Sequence, residues 1–522
     1  MLSTSLTAQT NGTCGENLTW TIQDSTLTIS GNGPMIPGEY SRYPWHYYTH
    51  LFSHVVINDG ITNIGNYAFS FCENIKTITV PNSVTSIGVC AFEFCDSLVA
   101  VDIPNSVTSI GQSAFVNCQS LTSITIPEGV SSIGQETFAF CTHLASVTLP
   151  CSITSIGKEA FTRCGLTSIT IPDGVTTIKE NTFAQCYSLE SVTIPPSVKS
   201  IEFAAFTFCL SLSSVIIPDS VTQLSECAFR FCTGLKSVSI SSSITRIERE
   251  TFEQCRSLKS VDIPDGVTYI GEMAFLQCDS LTSLTIPNSV TDIDSRAFEG
   301  CKVLKNVIIP NSVKNIRGAA FSDCSSLTSI TIPSGVEFIA NCAFAGCTNM
   351  TSMVVEEGNT FYDSRDNCNA IIISETNTLL CGCKTTYIPV TISTINWGAF
   401  WGCSTLSTFT IPDNVTKIEE CAFAKCNSIK TFTCYSTNPS IAQSGAFYEV
   451  SDNMIVYVPD SVVDAYKTHS TWKRFDIRPL SQSDIIETNE SPSSRTKKLF
   501  RNGQLLIQTP LGTFTATGQQ IE

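Results

Sequence analysis

The chain has 522 residues and a formal net charge of -16, from 46 acidic and 30 basic side chains. That balance argues against nucleic acid as a partner, because phosphate contacts need a basic surface. No run of about 18 apolar residues occurs, so no membrane-spanning helix is expected.

Residues 1–10, MLSTSLTAQT, are uncharged and carry small residues near Ala8 that suit a cleavage site. They read either as the remnant of a signal peptide or as an ordinary frayed terminus. Further on, PWHYYTHLFSH places His46, His50 and His54 four apart. On a helix these rings would share a face and could hold a metal. They lie beside Pro44, Trp45, Tyr47 and Tyr48, where a regular helix is not secured, so no metal site is assigned.

From Val56 onward one phrase recurs. Phe69, Phe92, Phe115, Phe138 and Phe161 stand 23 apart, Phe183 comes one residue early, and the step then resumes from Phe206 to Phe344. After an interruption Phe400, Phe423 and Phe447 continue it. A fixed period in the twenties means a solenoid, since a unit this small cannot bury its own apolar face and must stack on its neighbours. The expected fold is therefore mainly β: a leucine-rich-repeat solenoid with parallel sheets and about 15–16 coils. The unit reads I-P-x-x-V-T-x-I-G-x-x-A-F-x-x-C-x-S-L-x-x-I-T. Its L-x-x-I-x-I part, for example Leu121, Ile124 and Ile126, predicts a strand with Ile inward and Thr125 outward. Pro127 ends that strand by withholding an N–H. The V-x-x-I part, such as Val107 to Ile110, predicts a second short strand, followed by a turn at Gly111.

A cysteine follows three residues after every repeat Phe except Phe447. Zinc would need paired spacings that are missing here. Stacked parallel side chains sit too far apart for easy disulfides. A buried thiol column acting as a small hydrophobe is expected. Cys368, Cys381 and Cys383 fall in the interruption, where packing is expected and a Cys368–Cys383 pair is the alternative.

The recurring "IPNSVTSIG..AF..C.SLTSITIP" resembles the BspA-like class of leucine-rich repeats over Val56 to about Phe475. Within that resemblance, residues 11–55, with "GTCGENLTWTIQDSTLTISGNG", look like an N-terminal β-hairpin cap. The solenoid then spans 56–480. The island "YDSRDNCNAIIISETNTLLCGCKTTYIP" looks like a family variant, a hairpin insertion at about 356–388. "MIVYVPDSVVDAYKTHSTWKRF" resembles a closing strand and helix at about 454–480, with Ser461 as N-cap. Residues 481–498 read as a polar linker. Residues 499–522, with "NGQLLI" and "TATGQ", form two short strands around Thr509–Gly512. They resemble the C-terminal sorting tails of proteins exported across Bacteroidetes-type outer membranes. The resemblance implies a secreted or cell-surface protein, exposed at the outer membrane. It also implies adhesion to matrix proteins such as fibronectin and fibrinogen, or to other cells.

Two outward rows deserve weight as binding surfaces. On the main sheet Ser123, Thr125, Ser146 and Thr148 repeat monotonously and read as a solvated face. On the second sheet the residue before the Ile of V-T-x-I is Ser in the early coils. It becomes Gln223, Arg246, Tyr269, Asp292, Asn315 and Phe338 later. Aromatic and Arg side chains are typical anchors, so this row is the candidate recognition stripe, against repeat decay as the plainer reading. Phe71, Phe94, Phe140, Phe208 and Phe231, two after the repeat Phe, are expected to pack across the bend between sheets. No G-x-S-x-G, H-E-x-x-H or P-loop occurs, and no carboxylate pair is singled out; no enzyme activity and no cofactor are expected. Three roles fit these residues: an adhesin for an extracellular matrix-type protein or another cell surface, a structural spacer, and a glycan binder.

Overall fold

In the computed structural model the described residues are 10–14, 16–36 and 43–483, with the strand backbones 485–487, 497–501, 504–509 and 512–515. The chain is a parallel-stranded solenoid of about 19 turns. The turn count exceeds the number of repeat phenylalanines because cap strands at both ends add rungs that carry no Phe. It divides into two units, Met1–Gly266 and Val267–Glu522.

The first unit opens on antiparallel strands Asn11–Thr13, Leu18–Gln23 and Thr26–Gly31. The last of these pairs in parallel with His54–Ile57, which pairs with Thr77–Thr79, so the cap sheet runs directly into the repeat ladder. Pro44–Leu51 forms 3-10 turns, not a regular helix. It seats Trp45 against Phe69, ring centroids 5.9 Å apart. His54 instead meets the Thr77 hydroxyl at 2.8 Å.

Each coil then has three sides. On the first, strands such as Ser123–Thr125 pair in register with the next coil's Ser146–Thr148, with Ile124 buried and the flanking hydroxyls exposed. On the second, two-residue strands such as Ser132–Ile133 pair with Ser155–Ile156. The third side is the Phe turn. Its backbone takes positive φ two residues before and two after the repeat Phe, as at Tyr67 (58°) and Phe71 (57°). The N–H groups of Tyr67, Phe69 and Phe71 donate to the carbonyls of Val89, Ala91 and Glu93 one coil on. Meanwhile Ala68, Ser70 and Cys72 close bonds inside the turn. The Phe rings stack down the core, Phe92 on Phe115 at 5.1 Å and 11°.

The second unit carries on this pattern from Tyr269–Ile270 to Phe338–Ile339. The island is an antiparallel hairpin, Ala370–Ile373 with Thr378–Gly382, preceded by Tyr362–Asp363. Its second arm joins the second ladder, Thr378 and Leu379 pairing in parallel with Thr394 and Ile395, and Ala370, Ile372 and Leu379 are buried in the core. The Gly346 N–H donates to the Trp401 carbonyl at 2.8 Å, so the coils on either side meet directly. The closing strands Thr431–Cys434, Ile455–Val458 and Asp476–Pro479 are parallel. Helix Val463–Thr468 lies between the last two. Ser461 is not its N-cap: the chain enters through a 3-10 turn, Asp460–Val462, which moves the helix start past Ser461. Tyr466, Trp472 and Phe475 cover Phe447 and seal the apolar end. Beyond it, Ile485–Glu487, within the stretch read as a linker, pairs with Lys497–Arg501. Gln504–Thr509 and Gly512–Thr515 complete an antiparallel meander.

Candidate interaction surface

The register of the second ladder decides what the candidate stripe can do. In the first unit Gln223 is exposed and pairs with Ser200, while Arg246 is exposed and ion-paired to Glu248 at 2.9 Å. In the second unit Tyr269, Asp292, Asn315 and Phe338 occupy successive rungs, each opposite the next. They are not independent side chains. The Tyr269 hydroxyl donates to Asp294 at 2.5 Å, and the Asn315 amide donates to Asp292 at 2.7 Å. Arg317 lies 3.7 Å from both carboxylates. Phe338 ends this row with its ring 46% exposed. Lys314 and Glu337 form a 2.8 Å ion pair one column over.

Asp294 and Arg317 were not singled out from the sequence. A signal was there: both stand where earlier coils have the Gly that follows the repeat Ile, as at Gly65, Gly88 and Gly111. Replacing that Gly adds a second outward column beside the first. Register then makes one polar patch with an aromatic end. Cross-strand pairs of this kind stabilise each other by about 0.2–1 kcal/mol and hold a fixed geometry.

Elsewhere the outward faces also depart from the Ser/Thr habit. On the main sheet Ile308 is 79% exposed and borders a cleft of about 330 Å³ with Asn306, Ser329, Thr331 and Glu356. In the Phe turns, Phe71 stacks on Phe94 at 4.7 Å and Phe208 on Phe231 at 4.4 Å. These rings pack along the row rather than into the bend, because positive φ turns each side chain out of the core; Phe71 is more than half exposed.

The cysteine column is buried, and most of its thiols donate to the Phe carbonyl one coil back, as Cys95 does to Phe69 at 3.2 Å, whereas Cys403 donates to the Gly382 carbonyl of the island. Cys368, Cys381 and Cys383 are buried and unpaired with one another. The tightest charge cluster is Arg230, whose guanidinium lies 3.1 Å from Glu250 and 2.6 Å from Glu253. Burial raises the Glu253 carboxyl, and Arg230 opposes that rise. Glu250 also pairs with Arg249, so both carboxylates are already engaged by arginines. Among the described residues no three His, Cys, Asp or Glu side chains converge on one point, His46, His50 and His54 included. No described helix is long and apolar enough to cross a membrane.

Parallel rungs stacked one per 23-residue repeat, with polar outward rows, define a leucine-rich-repeat scaffold. More narrowly, the chain belongs to the BspA type leucine rich repeat region family, whose model matches residues 43–167, 154–282, 268–379 and 372–468. Among solved structures it is similar to a leucine-rich repeat protein from Bacteroides ovatus, at 28% identity and a TM-score of 0.51. That match covers 66% of this chain and 99% of the other. It is also similar to a leucine rich cell surface protein from Faecalibacterium prausnitzii, 35% identical, with a TM-score of 0.38. There the match covers 56% of this chain and 93% of the other. No curated protein matches the chain.

Proposed function

We propose that this chain is a non-enzymatic, secreted or cell-surface interaction protein that adheres to an extracellular, matrix-type protein or to another cell's surface. Its family is generally involved in protein–protein interaction or adhesion, which supports the class. The observation that carries the reading is the interlocked patch of Tyr269, Asp292, Asp294, Asn315 and Arg317 with Phe338 beside it. A partner meeting pre-bonded side chains has less rotamer entropy to remove. Exposed Tyr, Phe and Arg are the side chains that most often anchor interfaces. The likeness of residues 499–522 to sorting tails supports export, and those residues serve that role in this reading.

The test is binding of the purified chain to arrays of matrix proteins and of glycans at physiological salt. Saturable binding to a protein is expected. Tyr269→Ala with Phe338→Ala should weaken it about tenfold or more, since each anchor contributes on the order of 1–2 kcal/mol. Binding confined to glycans would move the function to carbohydrate capture. A folded chain that binds neither would leave the spacer role.

A further inference from the structure

The Phe turns build a one-directional hydrogen-bond ladder. At every rung the forward side presents only N–H donors and the backward side only carbonyl acceptors. In the second unit Phe298 and Gly300 donate forward to Ala320 and Ser322. At the last step Cys421, Phe423 and Lys425 donate to Gly445, Ala446 and Tyr448. The alternation of positive φ with ordinary turn residues produces this, because it rotates every second N–H to the same side.

Such a ladder needs a donor at its start and an acceptor at its finish. The start, in the first unit, has one: the Trp45 indole N–H donates to the Ala68 carbonyl at 2.8 Å. The finish, in the second unit, does not. The forward-facing N–H groups of Gly445, Phe447 and Glu449 have no acceptor among the described residues. Gly445 (88°) and Glu449 (55°) keep the positive φ that sets every second N–H, those of Gly445, Phe447 and Glu449, in a row on the forward side. Next to them lies a cleft of about 190 Å³ lined by Ser444, Gly445, Tyr448, Ser470, Thr471 and Arg474.

We propose that this cleft is an oxyanion site, taking a carboxylate or a phosphate or sulfate group. A row of unfilled backbone N–H groups facing one side gives the cleft a wall of partial positive charge from which an oxyanion accepts hydrogen bonds. The Ser470 hydroxyl adds an adaptable donor, and Arg474, whose Nε and one Nη are already engaged, adds its remaining N–H groups and its charge. Three acids border the place: the Glu420 side chain lies beside Gly445, and Asp452 and Glu449 flank it. Asp452 pairs with the Nε of Arg474 at 2.9 Å, but its side chain is 71% exposed and its charge is screened by water. Glu449 is engaged by the Tyr448 hydroxyl. Arg474 also donates to the carbonyls of Phe447 and Val450, which fixes the guanidinium against the last coil. Recognition is therefore by short-range donors, in a chain whose net charge of -16 gives no long-range attraction.

The test uses thermal melts of the full chain in sodium phosphate, sulfate or acetate, against sodium chloride at matched ionic strength. A ligand that binds only the folded state raises Tm in proportion to the logarithm of its concentration above its Kd. General salting-out by sulfate also raises Tm, but without saturation and regardless of sequence. The site predicts a saturable component for all three oxyanions. Ser470→Asp should supply a carboxylate from the chain itself, raise Tm without added anion, and abolish the saturable component. Arg474→Lys should weaken it several-fold. A short peptide with a free C-terminal carboxylate, set against its amide, separates a peptide carboxylate from a free ion as the source. No saturable component in the unaltered chain, or one that persists unchanged in Ser470→Asp, overturns the proposal.

Discussion

Most repeat cysteines sit where the thiol reaches the phenylalanine carbonyl one coil back, as Cys118 reaches Phe92 at 3.1 Å and Cys426 reaches Phe400 at 3.0 Å. That carbonyl already accepts the cysteine N–H of its own coil, Cys95 to Phe92 at 3.2 Å. The side chain is thus a small apolar filler with one weak donor, aimed at an oxygen with a spare lone pair. Burial pushes the Cys186 thiol up to about 12, and Cys95, Cys301 and Cys324 well above the ordinary thiol value. Thiolate is the reactive form, so these groups are inert while folded. In the native chain a thiol reagent at neutral pH should react first at exposed Cys151, more slowly at half-buried Cys90, Cys342 and Cys421, and elsewhere only after unfolding. Mass mapping of the labelled sites checks this, and early labelling of Cys118 or Cys209 would contradict it. The column was legible in the sequence as a buried thiol row. Its hydrogen bond was not, because the acceptor lies 26 residues earlier and belongs to the backbone.

At the scale of an element, the island hairpin shows how an insertion is taken into a stack that continues past it, its second arm pairing with Thr394–Ile395. Asp363 is its knot. Arg365 donates to its two carboxylate oxygens at 2.7 and 2.5 Å, and the Ser374 hydroxyl donates at 2.7 Å. Arg365 also reaches Asn377 at 2.7 Å, tying both arms of the hairpin together. Burial alone would raise the Asp363 carboxyl, but these bonds outweigh it and hold the group below its ordinary value. A depressed folded pKa stabilises the fold above the unfolded carboxylate value, about 3.9, and that contribution is lost as pH falls through the folded value. Asp363→Asn should therefore lower Tm at pH 7, with the gap to the parent closing below about pH 3. Melts at pH 7, 5 and 3 test this, and a gap independent of pH would refute it. The hairpin itself was expected from the resemblance of the island to a family variant. The charged knot was not, because Asp363 and Ser374 come together only after the strands pair.

For the whole molecule, stability is close to a sum over stacked coils, each contacting mainly its neighbours. Phe138 is fully buried, with Phe115 and Phe161 each 5.5 Å away. Phe138→Ala opens a cavity that neighbouring coils, fixed by ladders on three sides, cannot collapse into. It should cost about 3–5 kcal/mol and split denaturant unfolding into more than one step, since a weak coil uncouples the array there. Urea titration followed by two spectroscopic probes checks this; coincident, single transitions would argue against the uncoupling. The same arrangement makes each outward row a surface that can change side chains without disturbing the core, which is how a binding patch can be written onto a scaffold.

The sequence alone determined the solenoid, its period, the inward Ile, Leu, Val and Phe, and the row from Gln223 to Phe338 where the outward habit changes. These follow from local periodicity, because burial in a strand alternates residue by residue. Only the tertiary structure decided the one-way ladder of the Phe turns, the bonding of Tyr269 to Asp294 and of Arg317 to two aspartates, and the unfilled donors at Gly445, Phe447 and Glu449. In a solenoid a side chain's closest neighbours lie one period away along the chain. Which of them face each other is fixed by register and backbone rotation, and neither is written in any one repeat.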